Sequence, residues 1–250
     1  MIHDLAWRAA PELTTRRGRR WHEAALRRTL KSSAHLLTPS NAVAEQLIAE
    51  GITSSRLSVL PEGADHLPTA DHIAAQAALV NAGVSGPFLL SVSTLEPRKN
   101  LAGLIEAHRR SGLDLPLVVV GPAGWGEGLV TTQAVILLGA QPSAVLAALY
   151  ERCEVFCYVP HLEGFGLPPL EAAYLGAPVV VSSTVPSMEA LEGNWRVDPH
   201  DLEGIADALK RAVEDTAARS SAKERARAFA DSHRWVDVAR AHVVVWESLQ

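Results

Sequence analysis

Apolar positions along the chain fall into short, nearly continuous runs, separated by longer stretches in which they recur at helical spacing. The runs at 88–93, 117–121, 134–138, 154–159 and 178–182 are rich in Val and Leu, as strands buried on both faces are. Helical patterns occupy 100–111, 143–152, 168–175 and 201–214, and a last helix is expected near 235–249. Strands alternating with helices predict an α/β fold with a doubly wound, Rossmann-like parallel sheet. The first part of the chain is thinner. It offers a strand end at 3–5, a helix over 20–31, an apolar run at 34–38 and a short strand at 57–60. Ser40 suits the N-cap of a helix running to Glu50, with Gly51 as its stop. Turn chemistry from Pro61 to Pro68 marks a boundary. The pattern predicts the tail of one α/β domain over 1–68, joined to a whole second one.

Composition narrows the class. With 48% apolar and 20% charged residues, the chain has the apolar surface that a disordered polymer lacks. No uninterrupted apolar run approaches the ~18 residues of a membrane span, and Met1-Ile2-His3-Asp4 is not the start of a secretory signal. Two cysteines, Cys153 and Cys157, make no disulfide framework; their spacing of four in a strand pattern predicts one buried face. A soluble, intracellular chain is expected. The net charge of −5 is unevenly spread: residues 1–31 hold eight basic and three acidic residues, the remainder 15 basic and 25 acidic. Arg16, Arg17, Arg19, Arg20, Arg27, Arg28 and Lys31 form either a solvated helix face or a patch for phosphate or anionic lipid. No aromatic interleaving or motif supports nucleic-acid binding.

Ligands of doubly wound sheets bind beyond the carboxyl ends of the strands. After 88–93 come Glu96-Pro97-Arg98-Lys99-Asn100. An adjacent Arg and Lys at such a corner can clamp a diphosphate, although the pair alone also fits a solvated loop. After 117–121 come Gly121, Gly124 and Gly126 around Trp125, which permit close approach to a ligand or simply make a loop. After 154–159 the chain reads His161-Leu162-Glu163-Gly164-Phe165-Gly166-Leu167-Pro168-Pro169-Leu170-Glu171. Two prolines suit a first helical turn, so the amides of Gly164, Phe165, Gly166 and Leu167 precede a helix N-terminus and can face an anion. Glu163 and Glu171 would repel a phosphate and make better sense as acceptors for sugar and ribose hydroxyls, although Glu171 alone also fits a partner for the helix dipole. The ten histidines show no zinc-like spacing and no Asp-x-Asp pair occurs, so no metal site is expected.

This segment resembles the E-x7-E donor motif of retaining GT-B glycosyltransferases of the family-four, group 1 type. Residues 96–100, 121–126, 177–182 and 197–199 match in order. The resemblance is most specific from 88 to 210 and is nearest to bacterial mannosyltransferases of polysaccharide or glycolipid assembly. It implies a GT-B-like fold with an acceptor-side remnant at 1–68, a donor-binding domain at 69–232 and a helix at 233–250 crossing back, with Trp235 and Trp246 packing on the first part. Most of the N-terminal domain would be missing ahead of His3. It also implies that Glu163 contacts the donor sugar, that Gly164, Phe165, Gly166 and Leu167 approach sugar or phosphate, and that Glu171 binds the ribose. Lys99 and Arg98 would hold the diphosphate, and His3 would reach the sugar from the other domain. Ser93-Thr94 stand where many relatives carry a further Arg. The implied donor is a nucleotide sugar, GDP-mannose first, with no other cofactor; the acceptor is a hydroxyl of a glycan or lipid-linked glycan. The place of work would be the cytoplasm, peripherally at an anionic inner membrane face. The alternative is a catalytically silent nucleotide-sugar-binding remnant.

Overall fold

In the computed structural model, which describes residues 1–124, 134–191 and 195–250, the chain begins with a side-chain turn that leads into a helix. Asp4 Oδ1 accepts from the Ala6 amide at 3.0 Å and starts α1 (Ala6–Ala9). The strand end expected at 3–5 is therefore absent: this local side-chain turn draws the chain out of an extended path, and the Ile2 amide, donating to the Leu37 carbonyl, ties it to a neighbouring strand. The next helix, α2 (Arg16–Ser32), starts earlier than the expected position 20 because Thr15 Oγ1 caps the Gly18 amide at 3.1 Å. β1 (Leu36–Thr38), α3 (Asn41–Ala49, capped by Ser40) and β2 (Leu57–Val59) follow, and β1 pairs parallel with β2. Leu5, Leu26, Leu36, Leu47 and Ile52 form the small core here. α2 buries Leu26 and exposes Arg16, Arg17, Arg20, Arg27, Arg28 and Lys31.

Beyond the 61–68 connection the order is α4 (His72–Asn81), β3 (Leu89–Val92), α5 (Leu101–Ser111), β4 (Leu117–Val120), β5 (Val135–Gly139) and α6 (Ser143–Arg152). Then come β6 (Val155–Tyr158), α7 (Leu167–Tyr174), β7 (Val179–Ser182), β8 (Trp195–Val197), α8 (Leu202–Glu214), α9 (Thr216–Ala230) and α10 (Trp235–Glu247). β3 to β8 form one six-stranded sheet in the order β5-β4-β3-β6-β7-β8, parallel throughout. Chain direction through the sheet reverses between β3 and β6, which makes their C-terminal ends the crevice of the fold.

Alternation along each strand splits the core in two. Leu90, Val118, Val120, Phe156, Tyr158, Val179 and Val181 face one layer, with α6, α7 and α9. Leu89, Val119, Val155, Cys157 and Val180 face the other, with α5 and α8. The cysteines are both buried, but the single shared face is corrected: Cys153 caps α6 before the strand begins, and the two thiols lie in different layers. Among the described residues no helix is long and apolar enough to cross a membrane. α10 buries none of its residues, and Trp246 stays 57% exposed.

Candidate functional site

Both chains that leave the crevice are pinned before any charged side chain is considered. After β3 a single tight turn, Pro97–Lys99, ends at Asn100 with φ 53°, a left-handed conformation that Asn tolerates better than most residues. Its buried side-chain amide donates to the carbonyls of Val159 at 3.0 Å and Pro199 at 2.9 Å. The His161 amide donates to the Arg98 carbonyl at 2.9 Å. After β6, Ser182 and Thr184 each donate to the Pro160 carbonyl at 2.9 Å. The two strand ends are thereby held at fixed separation, and Arg98, Lys99 and Glu163 meet between them.

The meeting point is one oxygen. Glu163 Oε1 accepts from Arg98 at 3.1 Å, from the Tyr158 hydroxyl at 2.8 Å and from Lys99 Nζ. Arg98 also donates to Glu96 at 2.8 Å and to the Leu162 carbonyl at 3.1 Å, and Lys99 to the Tyr158 hydroxyl at 2.8 Å. All four charged side chains are largely buried; Glu163 is only 9% exposed. Burial works against the Arg98 charge, but Glu163 and Glu96 outweigh it and raise its pKa above the ordinary value. Burial, with Glu163 beside it, keeps the Tyr158 phenol protonated as a donor. Two cations and two carboxylates thus neutralise each other in a largely buried cluster.

The loop that follows leaves no room for a side chain at either glycine. A Cβ on Gly164 would lie 1.9 Å from the His3 carbonyl oxygen, and one on Gly166, at φ 96°, 2.4 Å from Val185. Ser40 Oγ donates to the Gly164 carbonyl at 2.6 Å, and Ser187 binds the carbonyls of Phe165 (2.9 Å) and Gly166 (2.7 Å). The Phe165 ring goes into the core. The amides of Gly164, Phe165, Gly166 and Leu167 have no acceptor among the described residues, and they stand at the N-terminus of α7, where an anion is favoured.

Further along α7, Glu171 is buried and accepts from the Tyr150 hydroxyl at 2.9 Å on one oxygen and faces His66 Nε2 at 3.0 Å on the other. Burial raises its pKa; the two hydrogen bonds oppose the shift.

Of the residues expected at the site, Arg98, Lys99 and Glu163 are in mutual contact, and Gly164 to Leu167 and Glu171 follow on the same loop and helix. His3 is divided: its backbone packs on Gly164, while its imidazole is 64% exposed and pairs with Glu62 at 3.0 Å. Of the two uses open to the glycines after β4, Gly121 and Gly124 serve the loop. Gly121 and Gly124 would each put a Cβ about 2 Å from a carbonyl, of Ser93 and Leu95 respectively, so they let two loops approach each other. Trp125 and Gly126 lie outside the described residues. Beside Arg98 a cleft of about 330 Å³ opens toward Asp4, Trp7 and His22. Sequence reasoning missed Tyr158, Tyr150 and His66, whose partners only the fold reveals; Asn100 stood in the quoted motif, but its clamping role did not.

Known proteins similar to this chain give its family. A family model described as "Glycosyl transferases group 1" matches residues 80–229. The chain is 27% identical to O-antigen chain mannosyltransferase B of Escherichia coli, over 94% of this chain and 66% of that protein. It is 32% identical to the serotype-specific mannosyltransferase WbdA of Escherichia coli, over 61% of this chain and 20% of that one. The chain thus spans less than two thirds of the length of these relatives. Among solved structures, Anabaena Alr3699/HepE in complex with UDP and glucose superposes with a TM-score of 0.82 at 21% identity, over 99% of this chain and 70% of that one. The last likeness carries the fold, that of GT-B glycosyltransferases; the family match spans the strand ends, the turn and the loop described above. This chain belongs to the group 1 glycosyl transferases.

Proposed function

We propose that the chain binds a nucleotide sugar, GDP-mannose first, and moves its hexosyl group to a hydroxyl acceptor with retention of configuration. The observation that carries this reading is the convergence of Arg98, Lys99 and Tyr158 on Glu163 at the strand crossover, next to free helix-entry amides. The mannosyltransferase relatives support mannose, and the ligands of the Anabaena structure support a nucleotide-sugar donor. In this reading Glu171 accepts from the ribose hydroxyls and Glu163 from the sugar. Lys99 and Arg98, with the amides of Gly164, Phe165, Gly166 and Leu167, hold the diphosphate. His3 approaches the sugar from residues 1–68, the acceptor side; residues 69–232 are the donor side, and 233–250 the crossing helix. The cleft beside Arg98 admits the acceptor, a glycan or lipid-linked glycan.

The reaction breaks the bond between the anomeric carbon and the phosphate oxygen, and the electron pair leaves with the diphosphate. The acceptor oxygen bonds to the same face of that carbon, and its proton passes to the departing phosphate oxygen. The protein supplies position and stabilises the leaving charge.

Calorimetric titration with GDP, UDP and ADP tests the donor site. One of the three binds saturably, and Glu171→Ala weakens it by roughly 10- to 100-fold, as loss of hydrogen bonds to a charged group does. Incubation with GDP-mannose and a mannose-terminated acceptor then gives an α-linked product. Binding without transfer would identify a silent binding module, and no binding by a chain shown to be folded would end the donor-site reading.

A further inference from the structure

One of the two groups that hold Glu171 comes from outside the layers around it. His66 lies in the 61–68 connection, and that connection is fastened to the start of α10. The Ala64 amide donates to the His233 carbonyl at 2.8 Å, Asp65 Oδ1 accepts from the Trp235 amide at 2.7 Å, and Asp65 Oδ2 pairs with Arg234 at 3.4 Å. A Cβ on Gly63 would lie 2.5 Å from the Trp235 nitrogen. Across this fastening, Trp235 Nε1 donates to His66 Nδ1 at 3.2 Å, with the two rings edge to face.

An indole N–H only donates. His66 Nδ1 therefore presents its lone pair, and the ring proton sits on Nε2, which donates to Glu171 Oε1 at 3.0 Å. From this geometry we infer that His66 is a positioning residue for nucleotide binding: Trp235 sets its tautomer, and its Nε2–H orients the Glu171 carboxylate for the ribose hydroxyls. The inference rests on Glu171 being the ribose acceptor. A carboxylate takes about four hydrogen bonds in all. Tyr150 and His66 use two, which leaves capacity for the 2′ and 3′ hydroxyls. Burial alone would push Glu171 toward its protonated form, a poorer acceptor, and these two donors oppose it. Had the proton been on Nδ1, a lone pair would face the carboxylate instead. The start of α10 thus has a say in how nucleotide is held.

The test titrates the full chain with the nucleoside diphosphate it binds and with its 2′,3′-dideoxy analogue. The unchanged chain prefers the ribonucleotide. His66→Ala loses about tenfold in affinity for it, the worth of one charge-assisted hydrogen bond, with little change toward the dideoxy form, so the preference collapses as it does in Glu171→Ala. His66→Gln, which keeps a donor at similar reach, restores most of the preference. Trp235→Phe, which frees the tautomer, gives a partial loss. His66 is 38% exposed, so melting temperatures of its two variants stay near that of the unchanged chain. A His66→Ala protein that keeps the preference, or that loses both forms equally, overturns the role of His66 while leaving the donor site standing. If Glu171→Ala also keeps the preference, or the unchanged chain binds no nucleotide, the donor-site reading fails first.

Discussion

A methyl group on Gly164 would press 1.9 Å from the His3 carbonyl, whereas one on Gly86 would meet nothing within 4 Å. Gly164→Ala should therefore cost about 1–3 kcal/mol of stability, the range for overpacking, and unseat residues 1–5 from the loop, while Gly86→Ala stays within about 0.5 kcal/mol. Urea denaturation of the two proteins checks both. Glu171 adds a pH effect whose sign follows from its form. It accepts from ribose as the carboxylate, and burial raises its pKa above the ordinary 4.5. Nucleotide affinity should thus fall on acidification at higher pH than an exposed glutamate would give. Tyr150 donates to the carboxylate and holds that pKa down, so Tyr150→Phe should move the acid limb to still higher pH. Titrations across pH 4.5–8 read the midpoint; an unmoved midpoint in Tyr150→Phe would deny that the hydroxyl acts on Glu171.

At the level of elements, the strands with the strongest sequence signal are those buried on both faces. β3, β4, β6 and β7 carry only one partly exposed residue among them, Val92, and their Val and Leu runs were legible. What the pattern hid has physical causes. α9 buries three alanines four apart, Ala222, Ala226 and Ala230, a stripe too small to stand out among Arg and Ser. α4 is alanine-rich and turns Ile73 to solvent, which blurs its amphipathic face. β8 is a three-residue edge strand with Arg196 exposed. The site divides in the same way. Glu163 and Glu171 were readable because they share one loop and helix. Tyr158 and His66 were not, since one meets Lys99 through the β3–β6 crossover and the other meets Glu171 through the connection between the sheets. A capping test belongs at this scale: Thr15→Ala should cost about 1 kcal/mol, measured as a lower denaturation midpoint with an unchanged slope.

Across the whole molecule, charge is sorted. α2 turns Arg16, Arg17, Arg20, Arg27, Arg28 and Lys31 outward, with Trp21 exposed among them, while the chain as a whole carries −5. We expect this face to hold the protein at an anionic membrane surface, each basic residue there being worth about 1 kcal/mol. Sedimentation with vesicles containing phosphatidylglycerol should show binding that salt removes and that charge reversal at Arg27 and Arg28 weakens; no binding at low salt would dismiss the idea. The crevice behaves differently because Arg98 and Lys99 already answer Glu96 and Glu163. A cluster of four whose formal charges cancel casts little field of its own into solvent. Nucleotide should therefore arrive without guidance from this cluster, which acts on it at contact and not at a distance. Free polyphosphates gain nothing from long-range attraction, and selection is left to the hydroxyls that touch Glu163 and Glu171.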